Sequence, residues 1–319
     1  MLSVGAAESE WLYDLSGSKG RIAFFRKGEE ASCGLDLSEE ERKCFEVYSA
    51  EARGSRSSTL LSVLSRAPGS VGAPLFGAVR AVSGWLARSL IIMDVRGDSE
   101  PGAGHFRDDL ARKVLPLYGT GVSDVRFDDL DGGLNPFEGG LNGRRIGKQS
   151  VADAVLDGRD LFIRALDEKG DWIAKRMVFD HGGVAFGLAE ESDGARRLYD
   201  LAPILDRGGE RELTYVIDEI GRSLHPQLAK RLIGDFEALG ADSNRQLIFT
   251  SHESRLLDLN LLRRDEIWFA EKGAAGESRL YSLEEFSERI DRRIDKAYLE
   301  GRYGGTPRFR TAFPDPGAQ

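Results

Sequence analysis

Apolar residues in the second half of this chain fall into two rhythms. Short unbroken apolar runs alternate with stretches where an apolar residue returns once per helical turn. Residues 213–217 (LTYVI) are apolar except for Thr214, and their Thr, Tyr, Val and Ile favour strands. A run so short and so apolar predicts a strand buried on both faces, as in a parallel sheet. Residues 246–250 (QLIFT) predict a second strand of the same kind. Between them, Leu228, Leu232, Phe236 and Leu239 form one apolar face, and Pro226 suits the first turn of that helix. Strand, helix and strand in this order predict a βαβ unit with a right-handed crossover.

The remaining pattern is less regular. Residues 10–37 read as short strands, with Arg21-Ile22-Ala23-Phe24-Phe25-Arg26 the most compact apolar run. Ser38 and Glu41 form a capping box that opens a helix toward Ala52, with Cys44, Phe45, Val47 and Tyr48 as its apolar positions. Helices are expected over 57–64, 75–86 and 106–115, with breaks at Pro68-Gly69-Ser70, at Gly72-Ala73-Pro74 and across the Gly/Pro loop 99–104. Strands over 161–167, 172–179 and 184–187, turning at Glu168-Lys169-Gly170 and His181-Gly182-Gly183, predict an antiparallel sheet that leads into another helix. His105 and His181 read as turn residues. A hairpin is expected from 266–269 and 278–281. Ser282 and Glu285 cap a last helix with Phe286, Ile290 and Ile294 on one face, and the Pro/Gly-rich tail after Pro307 reads as disordered. Asp128-Asp129-Leu130-Asp131-Gly132-Gly133 lacks the ligand spacing of a calcium loop and reads as a solvated turn.

Chemistry enters where the first buried strand stops, at Asp218-Glu219. The carboxyl ends of strands form the edge where α/β proteins bind ligands, and neighbouring side chains there point different ways. One carboxylate can hold a metal ion while the other faces a nucleophile. This is the Walker B arrangement, with Asp218 on hydrated Mg²⁺ and Glu219 orienting or deprotonating the attacking water. The second strand ends in Thr250-Ser251-His252-Glu253. Upstream, Ser192 and Gly194 open a helix, where backbone N–H groups and the helix dipole favour an anion.

The segments ESDGARRL, YVIDEIGRSLHP, QLIFTSHE, RRDEIWFAEKG, SRLYSLEEF and YLEGRYGGTP, in this order, resemble the ABC-type AAA ATP-binding proteins of bacteria. These are relatives of the OLD, RecF and SMC head domains, often encoded in phage-defence and abortive-infection loci. The resemblance is close over about residues 180–307 and looser over about 10–166. It implies an α/β fold, an incomplete P-loop NTPase head of ABC type: a mixed sheet with flanking helices plus an inserted helical lobe. The implied organisation is amino-terminal strands and a helical lobe over 1–150, the ATPase lobe over 151–290, and a helix end and tail over 291–319. It also implies ATP and Mg²⁺ as cofactors. Asp218 would be the metal residue, with Glu219 and His252 catalytic, His252 as the switch that senses the γ-phosphate. Ser192 and Gly194 would be the signature that reaches a nucleotide held mainly by a partner subunit. Ser223 and His225 would belong to the D-loop along the dimer seam. Ala195 stands where the family often has Thr, which removes a hydroxyl from the signature.

One expected motif is absent. The sequence contains no G-x-x-x-x-G-K-S/T loop to wrap phosphates. At the Gly147-Lys148 pair, Asn142 stands where the first glycine would be and Gln149 follows the lysine, so it is rejected as a Walker A. The family carries its P-loop ahead of a segment like Glu10-Trp11-Leu12-Tyr13. The expectation is therefore a chain lacking its first strand, P-loop and first helix, with a P-loop supplied by a separate polypeptide as the alternative. Composition narrows the picture further. The 319 residues are 41% hydrophobic and 30% charged, enough for one large domain or two ordinary ones. The net charge of −9 gives no global basic signature for nucleic acid. Cys33 and Cys44, with no His nearby in sequence, suggest neither a zinc site nor a disulfide scaffold. There is no signal peptide pattern and no apolar run long enough to span a membrane, so the expected location is cytoplasmic. Three functions follow: a nucleotide-driven dimeric ATPase, crippled without its P-loop and working with a defence effector; a non-catalytic pseudo-ATPase or regulatory, partner-binding remnant; and an SMC-like nucleic-acid clamp.

Overall fold

The computed structural model describes residues 2–3, 6–7, 9–15, 20–54, 58–68, 75–93, 108–130, 144–149, 152–157, 160–166, 172–206, 212–240, 244–273, 275–286 and 293–306. The chain divides into two compact units, Met1–Ile91 and Ile92–Gln319. The expected loops at 99–104, 139–143 and 168–170, along with Gly69, Ser70, His105, Asp131, Ile290 and the tail after Pro307, lie outside the described residues.

In the first unit, β1 (Leu2–Ser3) and β2 (Ala6–Ala7) pair with each other. β3 (Ser9–Asp14), β4 (Arg21–Lys27) and β5 (Glu30–Cys33) form an antiparallel meander. The expected capping box is made: the Ser38 N–H donates to Glu41 Oε2 at 2.9 Å, and the Glu41 N–H donates to Ser38 Oγ at 3.3 Å. It opens α1 (Glu39–Gly54). α2 is shorter than expected, Leu60–Leu64, because the Thr59 side chain caps it by accepting the Ser62 N–H. The Glu10 carboxylate supports the same helix start, accepting the Leu60 N–H at 2.8 and 2.7 Å and Arg26 Nη1 at 2.8 Å. α3 (Leu75–Arg88) completes the unit, whose core is built on Phe24, Phe45, Leu60, Leu64, Leu75 and Phe76. β6 (Leu90–Met93) follows.

The second unit begins with α4 (Asp108–Val114), extended by a 3₁₀ turn over Leu115–Tyr118. It is followed by β7 (Asp124–Asp129). Asp128 and Asp129 therefore sit in a strand, where a solvated turn was expected. Val125 is buried and holds the strand on the core, while Arg126 pairs with Asp128 at 2.8 Å and Lys175 with Asp129 at 2.8 Å. β8 (Arg144–Gln149) and β9 (Ala152–Asp157) are strands the apolar pattern did not announce. Gly147-Lys148 lies within β8, and so not in a phosphate loop opening a helix. β10 (Asp160–Leu166), β11 (Trp172–Asp180) and β12 (Ala185–Gly187) confirm the expected antiparallel sheet, with β11 pairing to β10, β7 and β12. Met177 and Phe179 of β11 are fully buried beside Leu115, Val125 and Leu161.

The sheet leads into α5 (Asp193–Leu201), and the βαβ unit follows: β13 (Thr214–Ile217), α6 (Pro226–Gly240) and β14 (Gln246–Phe249). β13 and β14 are parallel, in register from Thr214 opposite Gln246 to Ile217 opposite Phe249. The strand order is β14-β13-β6. The class is α/β as expected: β13 and β14 pair in parallel, and the sheet built around β11 is antiparallel. Burial on both faces holds for β13, whose Thr214, Tyr215 and Ile217 are buried. It fails for β14, the end strand of its sheet as described, where Ile248 is 55% exposed. α6 buries Ala229, Leu232, Ile233 and Phe236, and Phe236 meets the Tyr215 ring edge-on at 6.4 Å.

Beyond them, β15 (Trp268–Lys272) and β16 (Ser278–Ser282) form the expected hairpin. Phe269 is the centre of its core, stacked on Tyr298 and Tyr303 with ring centroids 5.5 Å away in each case. Ser282 and Glu285 do form a capping box, but on a single 3₁₀ turn, Leu283–Glu285, whereas a full helix was expected there; α7 (Ile294–Leu299) starts later. The Phe286 N–H returns to the Leu283 carbonyl, which closes the turn early. Among the described residues, no helix is long and apolar enough to cross a membrane.

Phe236 fastens the helix of the βαβ unit onto the strand that carries Asp218 and Glu219. Phe236→Ala should cost about 3–5 kcal/mol of unfolding free energy, as large-to-small core changes do. Urea denaturation followed by far-UV circular dichroism checks this, with the half-buried Leu239→Ala expected to cost clearly less.

Candidate functional site

The parallel register brings the two strand ends out side by side. The Thr250 N–H donates to the Ile217 carbonyl at 3.0 Å, and the Ile220 N–H donates to the Thr250 carbonyl at 3.0 Å. Asp218-Glu219 therefore runs alongside Thr250-Ser251-His252. On its other side the Asp218 N–H reaches the Met93 carbonyl of β6 at 3.3 Å. Thr250 Oγ1 donates to Asp218 Oδ1 at 2.5 Å and accepts the Glu219 N–H at 2.9 Å. His252 Nε2 lies 3.5 Å from Glu219 Oε1, with the His252 side chain 91% exposed and that of Glu219 37%. At that exposure the pair contributes little stability and leaves the ring free to move toward a ligand.

The turn after β13 is strained. Glu219 has φ 48° and Ser223 φ 60°, left-handed values that non-glycine residues rarely adopt. Each costs about 1–3 kcal/mol and persists only where the surroundings enforce it. Part of the enforcement comes from α5. Arg197 on that helix is buried, and its Nη2 donates to the carbonyl oxygens of Asp218 and Glu219, 3.2 Å each. Burial presses the pKa of this guanidinium below its usual range, while the nearby charges of Asp200, Glu219 and Asp218 favour the cation. The start of α5 is close as well: a Cβ on Gly194 would lie 3.1 Å from the Ser223 carbonyl oxygen. Glycine at 194 is what lets this helix approach the turn.

The other candidate residues fall around this pair of contacts. Ser192 is the N-cap of α5, its side chain accepting the Ala195 N–H at 3.1 Å. The missing hydroxyl at Ala195 thus leaves the cap itself intact. Ser223 is exposed on the turn. His225 is exposed and helps start α6, its Nδ1 accepting the Gln227 N–H at 3.3 Å. Asp218, Glu219 and His252 are brought together directly, and Gly194 meets the turn at Ser223. Ser192 and His225 mark the starts of the two helices that flank this turn.

Sequence reasoning passed over Glu191 and His181. Glu191 is 7% exposed, its Oε2 accepts the Ser192 N–H at 3.2 Å, and its Oε1 lies 2.5 Å from His181 Nε2. His181 does lie in the turn after β11, as expected, and that turn thereby braces the start of α5. The one available signal was the place of Glu191 directly before the capping serine. The same turn is tied down by Asp180, which accepts from the Gly183 N–H at 2.8 Å, Ser123 Oγ at 2.9 Å and Arg126 Nη1 at 3.1 Å. The Gly183 amide, then Arg126 and Ser123, hold its carboxyl down to about 2.

A buried strand followed by adjacent carboxylates, beside a parallel strand followed by a histidine, is consistent with the α/β fold of P-loop nucleoside triphosphatases. The chain belongs to the nucleotide-binding AAA ATPase family described as "AAA domain, putative AbiEii toxin, Type IV TA system", which matches residues 80–258. No curated protein matches the chain. A solved structure described as "Structural biochemistry of ATP-driven dimerization and DNA stimulated activation of SMC ATPases" is similar over 63% of this chain and 100% of that one, at 15% identity and a TM-score of 0.31. A likeness that slight bears on neither site nor partner.

Two predictions follow from these contacts. Arg197→Lys keeps the charge but loses the planar guanidinium whose Nη2 gives a hydrogen to each of two carbonyls. It should destabilise the protein by about 1.5–3 kcal/mol in urea and shift the backbone NMR signals of Asp218 and Glu219. Asp180 has a depressed pKa, so its contribution to stability is present above its ordinary value of 3.8 and is lost as pH falls through about 2. Thermal midpoints measured between about pH 4 and 2 should therefore fall less steeply in Asp180→Asn than in the wild type.

Proposed function

We propose that this chain is a subunit of a nucleotide-driven ATPase, with dimerisation promoted by ATP and reset by hydrolysis. The observation that carries the reading is the placement of Asp218, Glu219 and His252 at one strand edge, with His252 Nε2 3.5 Å from Glu219 Oε1. Glu219 would orient or deprotonate the attacking water, and His252 would contact the γ-phosphate. Asp218 would hold Mg²⁺. Among the described residues, no group of three His, Cys, Asp or Glu side chains could hold a metal alone. A single carboxylate nevertheless fits Mg²⁺, which keeps several waters and takes other ligands from nucleotide phosphates. The ion would neutralise charge on the transferring phosphoryl group. Ser192 and Gly194 at the start of α5 would face the nucleotide of a partner subunit, and Ser223 and His225 would lie along the seam.

The phosphate cradle is the part these residues lack. The sequence has no G-x-x-x-x-G-K-S/T segment, and Gly147-Lys148 lies on β8. The loop would come from a preceding segment or from a separate polypeptide. The same absence supports a second reading, a pseudo-ATPase that binds a protein partner and little nucleotide. The family description, which includes a putative toxin, accords with a role beside a defence effector. The net charge of −9 weighs against a nucleic-acid clamp.

Turnover separates these readings. The 319 residues alone should hydrolyse ATP at background. Joined to a P-loop strand and helix, they should show Mg²⁺-dependent turnover. Glu219→Gln should then lower kcat by about 10²–10⁴-fold and keep ATP binding, because it removes a positioned base while leaving the nucleotide contacts. No turnover in the completed protein would favour the pseudo-ATPase. Strong Glu219-dependent turnover by the 319 residues alone would show that they supply their own cradle.

A further inference from the structure

Thr250 has been given no role so far, yet its hydroxyl touches both carboxylate residues of the site. A hydroxyl has one hydrogen to give and lone pairs to receive. The Glu219 N–H can only donate, so Oγ1 accepts there, at 2.9 Å. Its single hydrogen is left for Asp218 Oδ1, 2.5 Å away. The direction of both hydrogen bonds is thus fixed by chemistry.

The two bonds do different work. One pins the backbone of Glu219 at φ 48°, the conformation that leaves its side chain beside His252. The other fixes the plane of the Asp218 carboxylate and occupies one of its oxygens. The hydroxyl itself is held on a stiff β-branched side chain. Its backbone is locked on both sides of the peptide, by Thr250 N–H to Ile217 and by Ile220 N–H to Thr250, 3.0 Å each. The neighbouring hydroxyl is turned to another partner: Ser251 Oγ accepts the Glu253 N–H at 3.0 Å.

We propose that Thr250 is the positioning residue of the Asp218–Glu219 pair, one hydroxyl that sets the metal-side carboxylate and the water-side glutamate relative to each other. The proposal deepens the ATPase reading and rests on it for its consequence in turnover. Its geometric part can be tested in the full 319-residue chain without nucleotide.

The test compares Thr250→Val, Thr250→Ala and Thr250→Ser. Amide hydrogen exchange is followed by NMR at Glu219, bonded to the Thr250 side chain, and at Ile220, bonded to the Thr250 backbone. In the Val and Ala variants the Glu219 amide should exchange about tenfold faster, as expected for one lost hydrogen bond. The Ile220 amide should not change, and Ser should restore the wild-type pattern. In the protein completed with a P-loop, Val and Ala should lower kcat by about 10–100-fold, as loss of an outer-shell partner does, with KM nearly unchanged and Ser active. Unchanged Glu219 exchange in both variants would overturn the proposal. So would a released Glu219 amide with wild-type kcat, since that is the behaviour of a structural cap. If Val releases both amides through a packing fault, the smaller Ala variant decides. A completed wild-type protein without turnover would sink the ATPase reading, and the exchange arm would still decide whether Thr250 holds the pair.

Discussion

The candidate site depends on one backbone constraint, the parallel register between β13 and β14. With Ile217 opposite Phe249, the residues that follow each strand leave the sheet at the same level. Asp218 and Glu219 can then share the hydroxyl of Thr250, and His252 comes within 3.5 Å of Glu219. A shift by one residue would invert every side chain on the moved strand and separate the two acids from the histidine. α6 protects this register. Its buried Leu232, Ile233 and Phe236 close the crossover, and Phe236 meets the Tyr215 ring from the side.

Strain is concentrated where the chemistry is placed. The only non-glycine residues with positive φ among those described are Glu219 and Ser223. Both lie in the turn that joins the acidic strand end to α6. That turn is gripped from two directions: Thr250 and the Ile220–Thr250 backbone bond from β14, and Arg197 and the close approach of Gly194 from α5. Burying a guanidinium is costly, and here the cost is offset by hydrogen bonds from its Nη2 to two backbone carbonyls. The helix carrying the serine-glycine segment and the turn carrying Asp218 and Glu219 are thus fastened to each other within one chain.

Much of this was legible in the sequence because it depends on local pattern. The apolar run 213–217 with its acidic end, the helical spacing of Leu228, Leu232 and Phe236, the box at Ser38 and Glu41 and the cap at Ser192 are all set by residues near each other in the chain. These interactions span one strand or one helical turn, so their signals survive without knowledge of the rest. The rejection of Gly147-Lys148 as a phosphate loop was equally local, and its place on β8 agrees.

Tertiary structure decided what depends on distant partners. Asp128 and Asp129 look like turn residues alone, and become strand residues because β11 offers a ladder and Lys175 a counter-charge. The second capping box looked like the start of a long helix, and the packing of Phe286 against Phe269 and Tyr303 accompanies a single turn instead. β14 reads as apolar as β13 yet is the end strand of its sheet among the described residues, since burial is a property of neighbours. The roles of Thr250, Arg197, Glu191 and His181 were invisible for the same reason: each acts through a contact with a residue at least ten positions away, and all but the Glu191–His181 pair at twenty or more. The sequence by itself determined which side chains could do chemistry at the strand ends. Only the folded chain determined which groups hold them, because hydrogen-bond geometry between remote residues has no signature in a linear pattern.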